Sequence, residues 1–283
     1  MSAPPQDDGN RAPVDRLSVN ALPDSGPVTT DLAVPAIALA VGAHPDDIEF
    51  GCGATLAKWA AAGCQVHHLV LTDGSKGSWN PDRDEAALVA TRQGEQREAS
   101  RRLGGSGVVF MGWPDGELRN GVREQWEVCR QIRTIRPDVV LGHDPWRRYQ
   151  LHPDHRHAGY LLIDATVAAR DPLFFPDQEE QSHRPSFLLL WEADVPNHVE
   201  NAGQHADDKV HALLAHESQF ESTMRIPSVP GAGRLPRAAP LGAEPARDAA
   251  VADFRRRVMA QLEEHGRLAG MSLGECFHLV SDI

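Results

Sequence analysis

Two short clusters of ligand-type side chains, each following an apolar run, constrain this chain more than any other feature. The first, Ala43-His44-Pro45-Asp46-Asp47, comes straight after Ala36-Ile37-Ala38-Leu39-Ala40-Val41; the second is His152-Pro153-Asp154-His155. A chain that ends strand-like runs in such clusters suits an open α/β sheet, where ligands bind at the carboxyl ends of parallel strands. A divalent cation of the zinc kind takes three protein ligands from imidazole nitrogen and carboxylate oxygen, leaving one position open for water. His44, Asp47 and His155 supply that set. Asp46, beside a ligand but not needed as one, is free to take a proton from the water. A plainer reading makes Asp46 or Asp154 a helix N-cap next to a proline. The recurrence of the pattern after two separate runs favours the metal reading for the pair.

From Val34 onward, strand-like and helix-like periods alternate. The strand Ala36 to Gly42 leads into the first cluster, Gly51 to Ala62 reads as a helix, and Gln65 to Leu71 is a second strand ending in the turn-rich loop Thr72 to Gly77. Asp84 to Leu103 is helical and stops at Gly104-Gly105, after which Val108 to Met111 is a short third strand. Val122, Trp126, Cys129 and Ile132 fall at helical spacing, and Pro137 ends that helix before a fourth strand, Asp138 to Gly142. This order implies an α/β fold, a Rossmann-like parallel sheet sandwiched by helices, with a C-terminal helical and loop extension. The dinucleotide fingerprint is missing, because Gly51-Cys52-Gly53 is followed by Leu56 where a third small residue is needed. Residues 1–33, rich in Pro, Asp, Gly and Ser, read as a disordered tail. Residues 34–283 form a single domain, in which 227–248 is a flexible Pro/Gly/Ala-rich loop and 251–269 is an amphipathic helix packed back on the sheet.

The charge balance, 28 basic against 40 acidic residues and a net −12, argues against nucleic acid or an anionic membrane as partner. A small molecule is the better partner. Cys52, Cys64, Cys129 and Cys276 are scattered, with no CxxC pair, and read as reduced thiols of a cytoplasmic protein. No apolar stretch approaches the length of a membrane span. Oligomeric state is left open, a homo-oligomer included.

The run AHPDDIEFGCGATLAKWAAAGCQVHHLVLTDGSKG, the helix TRQGEQREASRRLG, the segment FMGWPDGEL and the block HPDHRHAG resemble the PIG-L/LmbE-like family of zinc-dependent N-deacetylases. The match runs in order from about residue 36 to 220, and DDKVHALLAHESQ and GECFHLV extend it less specifically. The resemblance implies a Rossmann-like fold and hydrolysis of the amide of an N-acetylglucosaminide or a related N-acylated small molecule. It makes His44, Asp47 and His155 the zinc ligands, Asp46 the general base, and His152 the group that stabilises the oxyanion or acts as acid. Another divalent metal such as Fe2+ is the alternative to zinc. It places Arg92 and Asp115 on the sugar hydroxyls.

Two other activities share parts of this pattern. A thiol-conjugate amidase of the mycothiol S-conjugate type uses the same chemistry on a larger amide. A non-haem iron oxygenase also uses two histidines and one carboxylate, but has no need of the extra base Asp46. A catalytically silent sugar-binding module has no need of the complete set. Among the other histidines, His67 and His68 read as packed or surface residues of a strand. His143 stands close enough to support a ligand, and His198 and His216 are candidates only for the pocket rim.

Overall fold

The computed structural model describes residues 27–227 and 243–283. Its strands are β1 (Thr29–Thr30), β2 (Ile37–Gly42), β3 (Gln65–Thr72), β4 (Gly107–Trp113), β5 (Val139–His143), β6 (Phe187–Trp191), β7 (His198–Asn201) and β8 (Gly274–Ser281). Its helices are α1 (Asp47–Ala61), α2 (Glu85–Arg102), α3 (Val122–Ile135), α4 (Pro153–Arg170), α5 (Ala206–Leu213) and α6 (Ala243–Arg267). The strands form one eight-stranded sheet in the order β1-β7-β8-β6-β5-β2-β3-β4. From β2 the chain builds outward to β3 and β4, then returns to lay β5 on the other flank of β2. The boundary between β2 and β5 is therefore the switch point of the sheet, the crevice where open α/β sheets bind ligands.

Alternation along β2 shows how the sheet is filled on both faces. Leu39 and Val41 join Val128 and Ile132 of α3 and Leu161, Leu162 and Ala165 of α4 in one core, while Ala38 and Ala40 join Ile48, Leu56 and Trp59 of α1 in the other. A third cluster holds Ala54, Val210, Leu213, Phe254, Val258 and Leu262.

Several expectations need correction. The sheet is mixed, because β8 runs antiparallel to both β6 and β7. What reads as a helical and loop extension contributes three further strands, β6 to β8, beyond the four expected. Thr29–Thr30 pairs with His198–Val199, so the tail does not extend to residue 33; residues 1–26 lie outside the described residues. Residues 243–248 open α6 instead of ending a loop, and 228–242 of that loop lie outside the described residues. Helix α6 packs back on β8 and β7 of the sheet, as its period implies, and its apolar positions also meet those of α1 and α5.

Helix α1 begins at Asp47, earlier than its apolar spacing suggests, and is interrupted at Cys52 (φ −147°, ψ 21°). The break frees main-chain N–H groups in mid-helix. Glu275 of β8 takes them up, its carboxylate accepting from Ala54 N (3.0 Å), Thr55 N (2.7 Å) and Thr55 Oγ1 (2.6 Å). Lys209 of α5 closes the arrangement, donating to Glu275 Oε1 and to Phe50 O at 2.6 Å each. A buried carboxylate on orphan N–H groups with a lysine beside it satisfies every charge that burial would otherwise leave costly.

Candidate metal centre

Both clusters open at the carboxyl end of a strand next to the switch point. After β2, the chain turns through Ala43-His44-Pro45, and Asp46 is the N-cap of α1, with Phe50 N–H bonding Asp46 O at 3.1 Å. After β5, the chain loops to His152, which caps α4 by accepting Asp154 N–H on Nδ1 at 3.3 Å, with Pro153 at the first helical position. Gly159, one turn beyond His155, lets α4 come close to the sheet, since a Cβ there would lie 2.6 Å from His143 O. The His155 and His143 rings then stack with centroids 4.3 Å apart.

The carboxylate of Asp47 is the meeting point. Its Oδ2 accepts His44 N–H at 2.7 Å and lies 3.3 Å from both His44 Nδ1 and His143 Nε2, and its Oδ1 is 3.3 Å from His155 Nε2. Three overlapping groups of ligand atoms lie here, each within 4.8 Å: His44, His152 and His155; Asp47, His143 and His155; His44, Asp115 and Asp154.

Hydrogen bonding separates atoms that can face a cation from those that cannot. Trp191 Nε1, a donor only, bonds His143 Nδ1 at 3.1 Å, so His143 carries its proton on Nε2 and points it at Asp47. A longer approach of Ala43 N–H to the same Nε2, at 3.4 Å, yields to that assignment. His44 Nε2 lies 3.1 Å from Asp154 Oδ2 and 3.2 Å from Asp115 Oδ1, which keeps its proton there and leaves the Nδ1 lone pair facing Asp47. Carboxylates that hold the far nitrogen of a histidine are the usual support of a metal-ligating ring. The donors left open, two imidazole nitrogens and a carboxylate, fit zinc. Burial opposes charge on Asp47, yet His155 and His143 outweigh it and hold the carboxyl well below its ordinary range.

Asp46 is buried beside this set with φ +94°, a value few non-glycine residues adopt. Burial pushes its carboxyl up to about 6, against the pull of Arg92, whose Nη2 is 3.7 Å from Asp46 Oδ2. His152 is exposed at the mouth, with a ring nitrogen within 4.8 Å of one ring nitrogen each of His44 and His155. Burial, then His44 and His155, lower its pKa.

The two residues expected on the sugar are both buried and engaged with protein groups. Arg92 donates to Gly74 O (2.8 Å) and Pro45 O (2.7 Å); Asp115 faces His44 with Oδ1 and accepts Lys76 N–H on Oδ2 at 3.0 Å. Behind Asp46 lies a polar layer that sequence reasoning misses. Gln96 Oε1 accepts Asp46 N–H at 2.9 Å, and its Nε2 donates to Glu49 Oε1 at 2.7 Å and lies 3.3 Å from His68 Nδ1. His216 Nε2 is 3.3 Å from Glu49 Oε2. His216 is thus fully buried rather than at the rim. His198 pairs with Thr29 and Glu200 on the other flank of the sheet. Burial opposes charge on Glu49, but His216 and His68 bring its carboxyl down to about 2.

Comparison with known proteins gives the same region. The model of the PIG-L family, described as GlcNAc-PI de-N-acetylase, matches residues 39–166. Diacetylchitobiose deacetylase of Thermococcus kodakarensis is 33% identical over 185 residues, covering 64% of this chain and 69% of that protein. A 1D-myo-inositol 2-acetamido-2-deoxy-alpha-D-glucopyranoside deacetylase of Streptomyces avermitilis is 33% identical over 165 residues, and the match spans 55% of that protein's length. Among solved structures, N,N'-diacetylchitobiose deacetylase of Pyrococcus horikoshii superposes with a TM-score of 0.73 at 25% identity, covering 87% of this chain and 84% of that one.

Proposed function

Because the chain belongs to the PIG-L family, we propose that it is a zinc-dependent hydrolase removing the N-acetyl group of an N-acetylglucosaminide, with His44 Nδ1, Asp47 and His155 Nε2 as the zinc ligands. The observation that carries this reading is the convergence of those two nitrogens on the Asp47 carboxylate, each at 3.3 Å, with the buried carboxylate of Asp46 alongside. The names of the relatives share an acetylated amino sugar, which sets the substrate class. A bound zinc supplies Lewis acidity and a water acidified toward neutral pH.

The protein's own groups do the rest. Asp46, buried beside the set and held 3.7 Å from Arg92 Nη2, accepts the proton of the attacking water and later hands it to the departing amine. His152, with Nδ1 occupied by Asp154 N–H, keeps its proton on Nε2 and offers that N–H as a hydrogen bond to the oxygen that gains charge, a contribution of about 3 kcal/mol. Asp154 and Asp115 orient His44, and His143, itself held by Trp191, orients Asp47. All four cysteines are free and buried, which supports a reducing, cytoplasmic location. No helix among the described residues is long and apolar enough to cross a membrane.

The test is release of amine and acetate from N,N'-diacetylchitobiose by the zinc-loaded protein, its loss on chelation and its return with zinc but not Fe2+. Turnover of a thiol-conjugate amide with none on any N-acetylglucosaminide would overturn the substrate assignment.

A further inference from the structure

We propose that Arg92 and Gln96 form a clamp on the Pro45–Asp46 peptide and thereby aim the Asp46 carboxylate, which makes them positioning residues for the reaction; the proposal rests on the reading of Asp46 as its base. The two residues lie four apart on α2, so they share one face of the helix, and both are buried. Arg92 Nη2 donates to Pro45 O at 2.7 Å, and Gln96 Oε1 accepts Asp46 N–H at 2.9 Å. That carbonyl and that N–H are the two polar ends of a single planar peptide unit. Holding both ends fixes the rotation of its plane, and with it the φ of the residue that follows.

The held conformation needs such a restraint. At φ +94° and ψ −26°, Asp46 sits where a residue with a Cβ costs about 1–3 kcal/mol and persists only if its surroundings over-determine it. Relaxation of that peptide would turn φ negative and swing the carboxylate away from the cluster formed by His44, Asp47 and His155.

Both arms of the clamp are themselves fixed. Gln96 can present only its oxygen to Asp46 N–H, because its Nε2 donates to the acceptor-only carboxylate of Glu49 at 2.7 Å. Arg92 is walled in by glycines. A Cβ on Gly74 would lie 2.6 Å from Arg92 Nη1, and one on Gly77 only 2.3 Å, so the guanidinium occupies space that those positions leave empty. The same Nη1 donates to Gly74 O at 2.8 Å.

The experiment is a double-mutant cycle on the zinc-loaded full chain with N,N'-diacetylchitobiose. Gln96→Met should lower kcat roughly 10-fold or more, as misplacement of a reacting group does, while KM stays within about two-fold and zinc remains stoichiometric. In an Asp46→Asn background the same change should cost less than about two-fold, because the group it aims is already disabled. Arg92→Lys, which keeps the charge but cannot reach both carbonyls, should behave alike and serves as the probe if Gln96→Met is insoluble. Wild-type kcat in either single variant, or equal losses in both backgrounds, would overturn the clamp. Normal turnover of Asp46→Asn alone would instead remove the base assignment, so the two failures are told apart.

Discussion

His44-Pro45-Asp46 and His152-Pro153-Asp154 are the same tripeptide at the ends of neighbouring strands, yet their residues do opposite things. In the first, the N-cap is Asp46; in the second it is His152, two residues earlier in the motif. That slip in register decides everything downstream. Asp154 is drawn into the helix and binds inward, accepting Gly116 N–H at 2.6 Å and facing His44 Nε2 at 3.1 Å. Burial opposes its charge, but His44 and the Gly116 N–H hold its carboxyl below the ordinary range. Asp46 stays outside the helix in a strained conformation, and its carboxyl is raised. In the proposed centre, the histidine assigned to the cation is the first residue of one motif, and the residue just after the tripeptide in the other. Backbone register relative to the helix start, more than residue identity, assigns the role.

Breaking the cluster itself should have the largest effect. His44→Ala, Asp47→Ala or His155→Ala should each remove zinc and turnover together, read by metal analysis and amine release, because a three-ligand site missing one ligand binds zinc poorly. Stoichiometric zinc with normal turnover in any of the three would break the comparison at its root. Next, Asp46→Asn should keep zinc and lose roughly 10²-fold or more in kcat, the signature of a missing general base. Asp154→Asn should do the reverse. With its charge gone from His44 Nε2, zinc affinity should fall about 10–100-fold, and saturating zinc should restore most of the turnover. If Asp154→Asn also lost kcat at saturating zinc, the two aspartates would not differ as their registers imply.

The smallest effect sharpens the contrast in stability. Asp46→Gly relieves a positive φ and should raise resistance to urea by about 1 kcal/mol while abolishing efficient turnover. Asp154→Gly puts glycine inside a helix and strips two main-chain bonds, and should lower stability by about 1 kcal/mol or more. Equal shifts would show that the strain at Asp46 is not stored energy.

What was readable in the sequence is what local spacing encodes. The alternation from Ala36 to Gly142 gives β2 through β5 with their helices, and the His44, Asp47 and His155 pattern gives a cluster that the structure brings together within 3.3 Å contacts. What was not readable depends on partners far along the chain. Gln96 meets Asp46 across 50 positions and Glu49 across 47, and nothing near position 96 marks a glutamine as buried. Thr29–Thr30 is too short to show a period and is held through main-chain pairing to β7. His143 differs from a ligand only by the indole N–H of Trp191, 48 positions later, which fixes its tautomer.

The interruption of α1 at Cys52 has a consequence for the order in which the molecule can be completed. The segment bearing Asp46 and Asp47 leaves the ribosome well before the carboxylate that satisfies Ala54 and Thr55 N–H, which belongs to Glu275, 221 positions beyond Ala54. Domains tend to fold as units during synthesis, and contacts of such separation close late. Helix α1 therefore waits, with its second half unsealed, for β8 to be made and inserted antiparallel between β6 and β7. A nascent chain halted before Glu275 should carry both histidine clusters and still be unable to hold zinc.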